Sequence, residues 1–102
     1  MALTKIDSYV VMYSANTFVP RIWLKGGSGP IGQLIFQPNG STLPADTTSG
    51  GQVNLYYHLD DYPNAIDLLR NEAPVYLLYS GSGGGFENGI KTSIEAVGEG
   101  EV

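Results

Sequence analysis

The chain has 102 residues, with five Lys plus Arg against ten Asp plus Glu, a formal charge of −5 and no cysteine. Its basic residues Lys5, Arg21, Lys25, Arg70 and Lys91 are scattered, which argues against nucleic acid and against an anionic membrane surface, since both require clustered cations. Seven Tyr, three Phe and one Trp within an apolar fraction of 42% belong to a globular chain, and without cysteine there is no disulfide framework and no thiol chemistry.

The length is that of a single domain spanning residues 1–102 with one modest core. Charged residues make up only 15% of the chain, below the usual quarter, so Ser, Thr, Asn, Gln, Gly and Tyr must cover the surface and part of it is expected to meet a partner. No apolar run approaches the roughly 20 residues of a spanning helix. The first residues, MALTKIDSYVVMYS, lack the apolar core of a secretory signal, and the expected location is cytoplasmic.

In chain order, Ile6 to Tyr13 alternates as Ile6, Ser8, Val10, Met12 against Asp7, Tyr9, Val11, Tyr13. This predicts one long strand with an aliphatic and a tyrosine-bearing face. SANTFVP, residues 14–20, reads as a connection, and Arg21 to Lys25 as a second strand whose Trp23 is assigned to the core. Residues 26–30, GGSGP, read as a turn too rich in glycine to continue a ladder. Ile31 to Gln37 is the third strand, and Pro38, Asn39 and Gly40 give a hairpin-type turn signal after it. Residues 41–51, STLPADTTSGG, read as a polar surface loop with room for a short pairing at Ser41 to Leu43.

Gln52 to Leu59 alternates cleanly, with Val53, Leu55, Tyr57 and Leu59 on the face expected to be buried. A short helix follows. Pro63 suits its first turn, and Asp60 or Asp61 its positive end. Tyr62, Ala65, Ile66 and Leu69 form an apolar stripe, and Pro74 stops the helix near Asn71 or Glu72. Val75 to Tyr79, VYLLY, is apolar on both faces and reads as a central strand. The crossover between the strands starting at 52 and 75 is long enough to permit a parallel pair. Residues 80–85, SGSGGG, form a loop, Ile90 to Val97 a last strand, and residues 98–102 a frayed acidic tail. The resulting order, β-β-β-β-α-β-β, predicts an α+β, mainly antiparallel domain: a twisted sheet or partly open barrel with one short helix.

No catalytic, metal or cofactor signature emerges from these residues. The glycine-rich loop 81–85 lacks the Gly-Lys-Ser/Thr and following helix of a phosphate-binding loop. Around Ser82 the nucleophile-elbow pattern fails, because position 80 is Ser. His58, Asp60 and Asp61 make a compact polar group at a strand end, but further ligands would have to come from Asp46, Glu87 or Glu95 with no supporting spacing. The bland reading is a strand-end histidine beside helix-capping aspartates.

The leading expectation is a small non-enzymatic protein acting through self-association, as a homodimer for instance, or through a protein partner. The alternative is a small-molecule or carbohydrate binding domain. It would use tyrosines and the loops at 41–51 and 80–88, with His58, Asp60, Asp61, Tyr56, Ser82 and Glu87 as candidate ligand contacts. A hydrolase built on His58 and a neighbouring acid ranks third.

Overall fold

A computed structural model describes residues 2–83, 85–94 and 96–97. The chain runs β1 (Ala2–Ile6), β2 (Ser8–Met12), β3 (Arg21–Gly26), β4 (Gly29–Gln37), β5 (Thr47–Ser49), β6 (Gln52–His58), a 3₁₀ turn (Leu59–Asp61), α1 (Tyr62–Asn71), β7 (Val75–Tyr79) and β8 (Gly89–Thr92). The strands form a three-stranded sheet, β1-β7-β8, and a five-stranded sheet, β2-β3-β4-β6-β5. All neighbours are antiparallel except β4 and β6, which are parallel. The α+β, mainly antiparallel class holds, and the described strands do not close into a barrel.

Strand alternation decides which rows are buried. In the five-stranded sheet Ile22 and Leu24 of β3, Leu34 and Phe36 of β4, and Leu55 of β6 turn inward and are almost fully buried. Register places Ile22 beside Leu34, Leu34 beside Leu55 and Phe36 beside Tyr57. From the other sheet, Leu77 of β7 joins this cluster, and Ala65 of the helix completes it, with Tyr62, Ile66 and Leu69 packed against it. Phe36 is the aromatic hub: its ring stacks on Tyr57 at 5.6 Å between centroids and meets Tyr62 edge-on at 5.1 Å. A helix of 10 residues is too short to persist alone in water, so this docking holds it.

The close approach of β4 and β6 requires a missing side chain, at a spot that Leu77 of the other sheet also borders. Gly32 on β4 is buried, and a Cβ there would lie 2.5 Å from the Val53 carbonyl oxygen of β6 and 3.2 Å from Leu77 Cδ2 of β7.

Several expectations are corrected. The strand expected over 6–13 is two strands broken at Asp7, whose N–H donates to the Lys25 carbonyl at 2.8 Å. The chain thereby leaves one sheet for the other. In β2 it is Tyr9 that packs against the core, whereas Val10 and Met12 are exposed. The glycine-rich stretch at 26–30 does carry a ladder: Gly26 pairs with Gly29 and Lys25 with Pro30 around a Gly27–Ser28 turn, with a bulge at Leu24/Lys25. The turn at Pro38–Gly40 closes β4 but makes no hairpin, because the chain crosses to β6, parallel to β4. Within the 41–51 loop the short pairing forms at Thr47–Ser49, beside the Gly50–Gly51 turn, and not at 41–43.

The strands at 52 and 75 belong to different sheets, so the permitted parallel pair between them does not form. β7 is the centre of the smaller sheet, with Val75 and Leu77 buried and Tyr76, Leu78 and Tyr79 half-buried. The last strand stops at Thr92, and Ile94 and Val97 beyond it are fully exposed. Trp23 is not a core residue; it lies on the outer face of β3 and is 38% exposed. Neither Asp60 nor Asp61 caps α1 through its side chain. The acidic tail expected at 98–102, Gly84 of the glycine-rich loop and the candidate ligand Glu95 lie outside the described residues.

Gly32→Ala is expected to force β4 and β6 apart, since its new methyl meets backbone rather than a movable side chain. The stability lost in urea unfolding should be about 1–3 kcal/mol or more. A change within about 0.5 kcal/mol, the range of ordinary surface substitutions, would contradict this packing.

Candidate functional site

Two polar ties hold the loops around the parallel pair. The first joins the turn after β4 to the 3₁₀ turn after β6. Asn39 Nδ2 donates to Asp60 Oδ1 at 2.9 Å, and the Asp60 N–H returns the bond to Asn39 Oδ1 at 2.8 Å. His58 Nε2 lies 2.7 Å from the Ser41 carbonyl oxygen. A carbonyl only accepts, so Nε2 carries the proton and donates.

The second tie joins the loops at 41–46 and 80–88. Asp46 Oδ1 accepts the Tyr56 N–H at 2.9 Å, and its Oδ2 accepts Asn88 Nδ2 at 2.9 Å. Asn88 Nδ2 also donates to the Gly81 carbonyl at 2.8 Å, while Asn88 Oδ1 accepts the Ser80 N–H at 2.7 Å. Gly81, at φ 153°, lies so close under Phe86 that a Cβ would stand 2.9 Å from the ring. The glycine-rich loop therefore folds onto its own aromatic residue.

Beside this clasp, burial pushes the Tyr57 hydroxyl up to about 12, with the Asp46 and Asp61 carboxylates adding to the rise and a hydrogen bond to the Ile90 backbone opposing it. Tyr62 is also raised, by burial and then by the neighbouring Tyr13.

The structure brings His58 and Asp60 into one knot, bonded to Ser41 and Asn39 respectively, and places Asp61 near Tyr57. Tyr56 is half-buried, with its backbone held by Asp46; Ser82 and Glu87 are exposed on the 80–88 loop. Among the described residues no three His, Cys, Asp or Glu side chains are grouped to hold a metal ion. No described helix is long and apolar enough to cross a membrane.

Two features went unread in the sequence. A cleft of about 880 Å³ opens where β1 and β2 part company, lined by Lys5, Asp7 and Tyr9 on one side and Arg70, Glu72 and Tyr76 on the other. The outer face of the five-stranded sheet carries a cation between two rings. The Arg21 guanidinium lies 5.9 Å from the Phe18 ring and 5.5 Å from the Trp23 ring, and its buried Nε has no hydrogen-bond partner among the described residues. Phe18 is 64% exposed, and Val10 and Met12, at about 40%, continue the same outer row across β2.

Comparison with protein families, curated proteins and solved structures found no match for this chain.

The Tyr57 shift has a pH consequence. Because its folded value lies above the ordinary 10.0, the neutral phenol's contribution is complete below pH 10 and is lost as pH rises through 12. On the order of 3 kcal/mol is at stake. Urea unfolding between pH 9 and 12 should show this loss in the native chain and a shallower one in Tyr57→Phe; equal slopes would contradict the assignment.

Proposed function

We propose that this is a non-enzymatic protein that works by association, with a second copy or with a protein partner, through the outer face of its five-stranded sheet. The observation that carries the reading is the exposed group Val10, Met12, Phe18 and Trp23 around Arg21. Aromatic residues, Met and Arg are the side chains enriched at protein interfaces. Arg21 adds a specific demand: Nε is withdrawn from water without a partner among the described residues, and a backbone carbonyl or carboxylate from another chain would supply its acceptor. The sparse surface charge points the same way.

The other readings have less support. A ligand held between the 41–51 and 80–88 loops would have to displace the Asp46–Asn88 clasp, which already occupies the polar groups there. A hydrolase reading needs His58 joined to a neighbouring acid, yet its hydrogen bond goes to the Ser41 backbone carbonyl while the Asp60 carboxylate is bonded to Asn39.

Trp23 is the only tryptophan, so its emission reports on this face directly. As concentration rises toward about 1 mM, where weak complexes form, sedimentation velocity is expected to show mass growth accompanied by a blue shift of that emission. A strict monomer with unchanged emission would count against self-association, and mass growth with no shift would place the contact elsewhere.

A further inference from the structure

We propose that the open edge of β2 pairs antiparallel with the same edge of a second copy of this chain, about a two-fold axis at Val10. This rests on the association reading above, commits it to a second copy, and adds the β2 edge that borders the outer face as the place of contact.

β2 is the outermost strand of the five-stranded sheet and is bonded on one side only, to β3. Alternate N–H and C=O groups along Ser8–Met12 therefore point away from the sheet with no described strand beside them. Proteins normally blunt such an edge with Lys, Pro, a bulge or brevity. The other sheet edges show these devices: β1 carries Lys5, β8 carries Lys91, and β5 is only three residues long. β2, SYVVM, has no charge and no proline, and every residue but Tyr9 is exposed.

The choice of a second copy follows from symmetry. A two-fold antiparallel pair centred on Val10 sets Val10 against Val10 and Tyr9 against Val11, which are β-branched or aromatic pairings, and Ser8 against Met12, which are both uncharged. No charge faces its own image, although the chain as a whole carries −5. The axis runs perpendicular to the sheet, so the outer rows of the two copies merge on one side, joining Val10, Met12 and Trp23 of each into one apolar strip. One position further, Tyr13 of the second copy stands opposite Asp7, on the wall of the 880 Å³ cleft. Tyr13 is 65% exposed in the single chain, with its ring 5.7 Å from that of Tyr62. Five-residue strands and a narrow strip bury less than a standard interface, so the dimer is weak and concentration-dependent.

The chain has no cysteine, so single substitutions report on the contact without background. Under mild oxidation Val10→Cys should give a disulfide-linked dimer in at least tenfold higher yield than Thr48→Cys on the opposite edge of the same sheet, because only position 10 faces itself across the axis. Val10→Lys places two ammonium groups face to face and should weaken dimerisation at least tenfold in sedimentation equilibrium. Its thermal midpoint should stay near the native one, since Val10 is 42% exposed. If the native chain associates while Val10→Lys associates equally and Val10→Cys does not cross-link preferentially, the β2 edge is wrong and association through another surface stands. If the native chain remains a monomer to about 1 mM, both self-pairing and the second-copy form of the functional reading fall.

Discussion

The structure depends on one close approach. At Gly32 the backbone of β4 comes so near β6 that a single methyl would overlap the Val53 carbonyl, and into the same space presses Leu77 from the other sheet. The missing side chain lets the parallel pair β4 and β6 close up beside Leu77 of the separate antiparallel sheet. Ile22, Leu24, Leu34, Phe36 and Leu55 supply the wall, with Leu77 and Ala65 closing it from the smaller sheet and the helix. Interiors packed this densely transmit any misfit, so the rest of the fold follows from keeping these two sheets in contact.

The consequence for function lies in what remains outside. One face of the five-stranded sheet is used up by the core, and the polar residues at the strand ends are spent on each other: Asn39 with Asp60, His58 with the Ser41 carbonyl, Asp46 with Tyr56 and Asn88. These ties fix the long crossover from β4 to β6 without a covering helix. They also leave the opposite sheet face, with its Phe18–Arg21–Trp23 group and the bare β2 edge, as the surface whose chemistry is unfinished.

Much of the architecture was legible because alternation and helical spacing are local signals. β3, β4, β6, α1 and β7 sit within a residue or two of where the pattern places them, and the stripe Tyr62, Ala65, Ile66, Leu69 does face the core. What was not legible is set by distant partners. The alternation of Ile6 to Tyr13 cannot reveal that Asp7 hands the chain from β7 to β3, nor that this handover turns Tyr9 inward and Val10 and Met12 outward. Trp23 carries no local mark of exposure; its place follows from Ile22 and Leu24 taking the buried row. At the polar knot, His58, Asp60 and Asp61 were visible by residue type, but their partners Asn39 and Ser41 lie across the crossover. The Asn-Gly step at 39–40 was readable as a turn, though not as the anchor of a tie to Asp60.

Amide hydrogen exchange of the native chain at low and high concentration tests the central claim most directly, because it separates the buried framework from the unfinished edge. The account predicts that amides of β3, β4 and β6 exchange slowest at both concentrations, while the outward-pointing amides of Ser8–Met12 are open in dilute solution and become protected as concentration rises, with β5 and β8 unchanged. Protection that never appears in β2, or that appears first at β5 or β8, would contradict it.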